Sequence, residues 1–214
     1  MNKKDIFDQM IDDAESTQER LFLSAVYLFS VKGYNAVGIR ELCRSVGVKE
    51  SSFYNHYPSK EDLLEKIFAY FTECNQRVVM TEEEIEEMAE TGDIRVFLTA
   101  NMEKFSGVTG DNVLYHTVLQ IVLMESYVNP LAYEAAKHNL YYLRRDYTEK
   151  VLNRMMERGY IRECDVELVT AEYYYSLKGM LDEFLLREVW GGDLEGIGTR
   201  IQGHIGFFAD LLKK

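Results

Sequence analysis

The sequence predicts an all-α protein in which a small N-terminal helix-turn-helix domain precedes a larger helical domain, and three observations carry that expectation. Apolar residues recur at helical spacing along most of the chain, separated by capping residues and glycines, with no alternating run that reads as a strand. Two prolines occur in 214 residues, of which 47% are hydrophobic; this suits a compact helical fold without a long flexible linker. The stretch Val46 to Lys60 places a glycine turn before a short polar-faced helix, as the second half of a helix-turn-helix does.

Ser16 and Glu19 form a capping box ahead of Leu21, Ala25, Leu28 and Phe29, so a helix starts there and runs until Gly33. Ile39, Leu42, Cys43 and Val46 mark a second helix that Gly47 stops. In the short helix that follows, Val48, Phe53 and Tyr57 point inward, which leaves Lys49, Ser51, Ser52, Tyr54 and Asn55 on the other face. Ser59, answered by Asp62, opens a helix that carries Ile67, Phe71 and Val78 out of the first domain. The domains are drawn at residues 1–66 and 67–214.

In the second domain, Thr81 with Glu84 caps a helix interrupted at Gly92-Asp93, and Val96, Phe97, Ala100 and Phe105 describe the next, ending near Gly107 or Gly110. Asp111 caps a helix that is apolar on nearly every face from Val113 to Tyr127, as a helix enclosed by others is. Asn129-Pro130 opens a long helix that reaches Arg158 before Gly159. Asp165 caps a helix through Trp190, and the Gly191-Gly192-Asp193 break begins a last one ending at Leu212. The expected total is nine to ten helices.

Charge and composition bound the function. The net charge of −12 is unexpected for a nucleic-acid binder, since phosphate contacts are usually met by a basic patch. Between residues 16 and 66, however, seven Lys and Arg face six Asp and Glu, so the acid lies elsewhere. Glu82, Glu83, Glu84, Glu86, Glu87 and Glu90 read as a solvated helix start, with an acidic partner-binding patch as the alternative. Cys43, Cys74 and Cys164 lack metal-ligand spacing and are odd in number, which points to a reduced compartment. The N-terminus has no signal-peptide core and no apolar run approaches about 18 residues, so a cytoplasmic location away from membranes is expected. No nucleophile with an adjacent base, no phosphate loop and no metal-ligand spacing occurs, so the reading includes no catalysis, cofactor or metal.

In order and spacing, Gly33-Tyr34, Ile39, Leu42, Gly47-Val48, Phe53-Tyr54, His56-Tyr57 and Ser59-Lys60-Glu61-x-Leu63-Leu64 resemble the TetR-like bacterial regulators over roughly residues 16 to 68. The resemblance implies a DNA-binding head and a helical domain for effector binding and dimerisation. It assigns Tyr54, His56 and Lys60 to phosphates, and Arg40 to a phosphate or a base edge. Lys49, Ser51, Ser52 and Asn55 become candidates for the groove floor, where Asn pairs with adenine and Glu50 either accepts from cytosine or repels wrong bases. Three positions depart from the family pattern: Val37-Gly38 lacks the usual hydroxyl cap, Lys49 stands in place of Ser, and Ser51 in place of Gly or Ala.

The same resemblance makes the last two helices a dimer interface, with Leu177, Leu181, Phe184, Gly198, Ile201, Ile205 and Phe208 as its residues. Gly196, Gly198, Gly203 and Gly206 each cost about 1 kcal/mol relative to alanine in a helix, which close approach of a partner would offset. Packing within one subunit is the alternative. Phe71, Met102, Phe105, His116, Gln120, Met124, Tyr141 and Tyr174 are the candidates for an effector site, against ordinary core burial. His116 and Gln120, one turn apart, are either polar groups in an apolar cavity or satisfied core polars. The whole reads as a homodimeric repressor that leaves a palindromic double-stranded DNA operator when a small hydrophobic or aromatic effector binds. The alternative is a helical interaction protein with a degenerate helix-turn-helix.

Overall fold

The computed structural model describes residues 2–110, 112–192 and 196–214, with the backbone alone at 188 and 189. In chain order its helices are α1 (Lys3–Asp13), α2 (Thr17–Lys32), α3 (Ile39–Ser45), α4 (Glu50–Tyr54), α5 (Lys60–Gln76), α6 (Glu82–Glu90), α7 (Ile94–Thr109), α8 (Val113–Glu125) and α9 (Pro130–Ala136). A π-helical stretch, Lys137–Tyr142, leads into α10 (Leu143–Glu157), followed by α11 (Val166–Trp190) and α12 (Ile197–Leu212). Extended pairing among the described residues amounts to one isolated bridge, Ile161 with Lys213. The all-α expectation holds. Two details differ from it: α1 is an additional helix, and the long helix expected from Pro130 to Arg158 is divided by the π-helical stretch. Asp111, expected as a cap, lies outside the described residues, as does Asp193; the cap of α8 is Asn112, whose side chain accepts from the Tyr115 amide at 2.9 Å.

The chain packs as two compact units, Met1–Cys74 with Asp111–Ala136, and Asn75–Gly110 with Lys137–Lys214. In the first, Ser16 caps α2 by accepting from the Glu19 amide at 3.1 Å. Leu21, Ala25 and Phe29 are buried and Gly33 ends the helix at φ 82°. Asn2 and Asp5 form a reciprocal capping box on α1, which buries Phe7 beside the Tyr27 ring at 5.7 Å. Joined to these helices from far along the chain, α8 contributes polar contacts. Gln120 Nε2 donates to the Ser30 carbonyl at 3.1 Å and Gln120 Oε1 accepts from Lys3 at 2.9 Å. Glu125, 7% exposed, accepts from the Tyr34 backbone N–H at 3.2 Å, just past the end of α2. The expectation that α8 is enclosed through Tyr127 holds only for its first turns: the helix stops at Glu125, and Met124, Tyr127 and Val128 are exposed.

The second unit is built on a core that includes Phe97, Tyr147, Val151, Met155 and Phe208. Its acidic helix is braced as well as solvated. Glu82 meets Lys150 at 3.0 Å and Arg154 at 2.8 Å, and Glu86 pairs with Arg154 at 3.4 Å and with Arg158, so one face of α6 is matched by a cationic face of α10. Being exposed, each pair contributes little alone, but the ladder sets the register of the two helices. The Thr81–Glu84 capping box at its start is formed in both directions.

His204 on α12 stacks on Tyr173 of α11, ring centroids 4.8 Å apart, and donates from Nε2 to the Tyr173 carbonyl at 3.0 Å. Burial holds its pKa below the ordinary 6.5 despite that bond. A proton therefore binds the unfolded chain before the folded one, and stability is lost as pH falls from about 6.5 through the lower folded value. Urea midpoints should drop between about pH 7.5 and about pH 5.5, and the drop should shrink in His204→Phe; equal drops in both proteins would refute this.

Candidate nucleic-acid interface and ligand cavity

The turn between α3 and α4 follows from Gly47 at φ 71°, a conformation that L side chains rarely adopt. The Val48 amide closes it on the Cys43 carbonyl at 2.9 Å, and Arg20 of α2 donates to the Val46 carbonyl at 2.7 Å. Phe53 is fully buried and Tyr57 nearly so. Burial pushes the Tyr57 phenol up to about 12, so its hydroxyl stays protonated and donates to the Gln18 carbonyl at 3.1 Å. Anchored in this way, α4 leaves Lys49, Glu50, Ser51, Tyr54 and Asn55 exposed, with Ser52 and His56 half-buried. Neither Gly38 nor Lys49 makes a side-chain cap on the helix it precedes, as their residue types dictate.

Arrangement changes the electrostatics that counting suggests. Residues 39–55 hold Glu41 and Glu50 against Arg40, Arg44 and Lys49. Glu41 is paired with Lys32 at 2.5 Å and Glu50 with Arg40 at 3.0 Å. Arg44 and Lys49 remain exposed, and among the described residues neither pairs with a carboxylate. The segment thus presents cations although its count is near balance. Arg20, Lys32 and Arg44 carried no distinguishing sequence signal, because their roles depend on which helix end lies beside them.

Lys60, expected at a phosphate, is committed inside this unit. Its ammonium donates to the Tyr34 carbonyl at 3.1 Å and the Val37 carbonyl at 3.0 Å, and lies 4.0 Å from the Tyr34 ring centroid. A lysine with two carbonyls and an aromatic face is a clamp on residues 34–37, and that corrects its expected role.

The second unit contains a cavity of about 100 Å³ lined by Met102, Phe105, Arg144, Tyr174, Leu181 and Ile201 among others. Its wall is fixed by buried polar bonds. Tyr147 Oη donates to Asn101 Oδ1 at 2.7 Å, Asn101 Nδ2 donates to Tyr174 Oη at 2.7 Å, and Thr148 Oγ1 lies 2.8 Å from the same phenol.

Residues 21–67 match the family described as bacterial regulatory proteins, tetR family. That stretch contains all of α3 and α4. Over those residues the chain is similar to the TetR family. Over 58 residues the chain is 34% identical to the biofilm operon icaADBC HTH-type negative transcriptional regulator IcaR of Staphylococcus epidermidis, covering 25% of this chain and 31% of that protein. The match thus spans about a third of the relative's length. Beyond the head, the fold is similar to the TetR family transcriptional regulator PfmR of Thermus thermophilus, with a TM-score of 0.59, 22% identity and coverage of 89% and 97% of the two chains. It is also similar to a transcriptional regulator of Saccharomonospora viridis in complex with choline, with a TM-score of 0.60, 20% identity and coverage of 90% and 95%.

Away from α4, the expected groupings are only partly brought together. Met102, Phe105 and Tyr174 line the cavity. Phe71 lies in the other unit, stacked on Tyr115 at 5.7 Å, and His116, Gln120 and Met124 belong to that unit too. Gln120 binds Ser30 and Lys3, so its amide serves the packing of the head, correcting the effector assignment. Tyr141 rests against Tyr175 at 6.1 Å and is not among the cavity residues.

The expected dimer residues are also redistributed. Leu177, Ile205 and Phe208 are buried in their own subunit, and Leu181, Phe184 and Ile201 line the cavity, whereas Gly198 is exposed. Apart from Gly198, the residues that the resemblance implies lie on the inner face of α11 and α12. The outer face carries Leu168, Tyr175, Leu186 and Trp190 on α11 and Phe207 on α12, exposed by 55%, 53%, 61%, 84% and 62%. Gly203 lies one turn before Phe207, and a Cβ there would meet nothing within 4 Å, so this side of α12 is open. No group of three metal-ligating side chains occurs among the described residues, and no described helix is long and apolar enough to cross a membrane.

Proposed function

We propose that this protein is a homodimeric, ligand-responsive transcriptional repressor that reads a palindromic operator in double-stranded DNA and leaves it when a small molecule occupies the cavity of the second unit. The observation that carries the reading is α4 itself: within the TetR-type segment it is buried through Phe53 and exposes Lys49, Ser51, Tyr54 and Asn55 beside the unpaired Arg44. Short polar side chains approach base edges while cations meet phosphates. A two-fold dimer through the outer faces of α11 and α12 supplies the two reading helices that successive major grooves, about 34 Å apart, require. Effector control requires that the ligand favour one arrangement of the heads over another. α5 is the natural carrier, since the chain passes from the first unit to the second within it, between Cys74 and Asn75. A reduced cytoplasmic compartment belongs to the same reading. Choline, a cation, is a poor model for this effector, because Arg144 and Lys178 line the cavity.

Selection of bound DNA from a random pool at low salt tests the reading, with a palindromic consensus as the expected result. Asn55→Ala should alter the selected half-site, whereas Tyr54→Ala should weaken binding to every sequence. Failure to enrich any sequence would favour a protein-interaction role for the head. Glu50→Gln removes an acid from the reading segment and releases Arg40 from its 3.0 Å pair. Affinity for any duplex should rise about two- to tenfold at low salt and the gain should fade as salt increases, measured by fluorescence anisotropy; an unchanged salt dependence would count against Arg40 reaching the backbone.

A further inference from the structure

The cavity in the second unit is apolar over most of its wall, yet two of its lining residues are cations and none is a carboxylate. Lys178 is compensated, its ammonium lying 2.6 Å from Asp182. Arg144 is different. Its guanidinium carbon lies 4.2 Å from the Phe105 ring centroid and 5.1 Å from that of Tyr174, and it pairs with no carboxylate among the described residues. An aromatic face attracts a guanidinium without using up its in-plane N–H donors, which match the two oxygens of a carboxylate. The stack is held in place: Tyr174 cannot swing away without losing its bonds to Asn101 and Thr148. A rigid, unpaired cation in an apolar cavity favours one ligand chemistry.

We propose that the effector is an organic carboxylate on an apolar body, its head group bound by Arg144 and its body lying among Met102, Leu181, Phe184 and Ile201. This rests on the effector reading above and narrows it from any hydrophobic molecule to an amphipathic anion. The cavity of about 100 Å³ is smaller than the roughly 150 Å³ that accommodates benzene in an engineered apolar cavity, so a short chain fits first. Longer bodies need Met102 and Met180 to move, which unbranched thioether side chains do readily.

The test is calorimetric titration of the full chain with butyrate, hexanoate and octanoate, each beside the alcohol and the amine of the same length. A carboxylate should bind about ten- to a hundredfold tighter than its alcohol, the range expected of charged hydrogen bonds, and the amine should not bind. Arg144→Leu should erase the preference while leaving alcohol binding in place, and Arg144→Lys, which keeps the charge but not the two-pronged geometry, should fall between. Equal binding of carboxylate and alcohol, or a preference that survives in both variants, would overturn the anion assignment and leave the effector cavity standing. Binding by no member of the series would overturn the assignment and remove the support that this cavity lends to ligand control.

Discussion

Phe207→Asp is expected to turn the proposed dimer into a monomer and to abolish binding to the proposed operator at concentrations where the parent protein binds fully. Phe207 is 62% exposed on α12 although its neighbour Phe208 is buried in the subunit core, so the substitution gives up an edge contact with the Phe208 ring, centroids 5.3 Å apart, and spares the buried core. At a two-fold interface each contact occurs twice. An aromatic anchor contributes about 2 kcal/mol or more, so two copies shift the dimer constant by about a thousandfold or beyond. Sedimentation velocity would report the mass, and circular dichroism would verify that the helices persist. A dimer that withstands Phe207→Asp and also Trp190→Asp, a residue 84% exposed on α11, would place the interface on another face.

Asn101→Ala is expected to be among the most destabilising single changes in the second unit. Asn101 is 3% exposed and joins Tyr147 to Tyr174 through two bonds of 2.7 Å. Its removal takes an acceptor from the Tyr147 phenol, which is 1% exposed and whose pKa burial drives well upward, and deprives Tyr174 of a donor. Leaving buried polar groups without partners costs about 1–3 kcal/mol each, to which a cavity term adds. Urea unfolding should therefore lose about 3–5 kcal/mol, a large share of a typical domain's stability. Ligand binding in the neighbouring cavity should weaken as well, because Tyr174 no longer holds its place under Arg144. A loss below about 1 kcal/mol would mean that the two phenols find other partners, the net value of an ordinary hydrogen bond being about that size.

Local signals were the legible part of this fold. Ser16 with Glu19, Ser59 with Asp62, and Thr81 with Glu84 announced three helix starts, because a cap is a short-range bond between neighbours in sequence. Gly33, Gly47 and Gly159 announced turns for the same reason, each adopting a positive φ. The spacing places Phe53 and Tyr57 in the core and Lys49, Ser51 and Asn55 at the surface, and the burial agrees. The π-helical stretch after Ala136 left no readable trace, since Lys137–Tyr142 has ordinary helical composition.

Assignments that needed a partner distant in sequence fared differently. Lys60 looks like a phosphate ligand until Tyr34 and Val37 are placed beneath it. Gln120 looks like a cavity polar until α8 lies against the end of α2, some ninety positions earlier. Leu181, Phe184 and Ile201 are apolar whichever surface they meet, so periodicity placed them on a face without saying whether that face covers a partner, a ligand or the same subunit.

The amino-acid order therefore specifies the helices, their ends and the head that reads DNA in the proposed function, because caps, turns and amphipathic spacing are interactions within a few residues. It does not specify which charges neutralise one another, which face of α12 is outward, or that Arg144 lies beside the Phe105 and Tyr174 rings. Those depend on contacts between elements far apart in the chain, where Coulomb attraction and burial act on distance in space and are blind to distance in sequence.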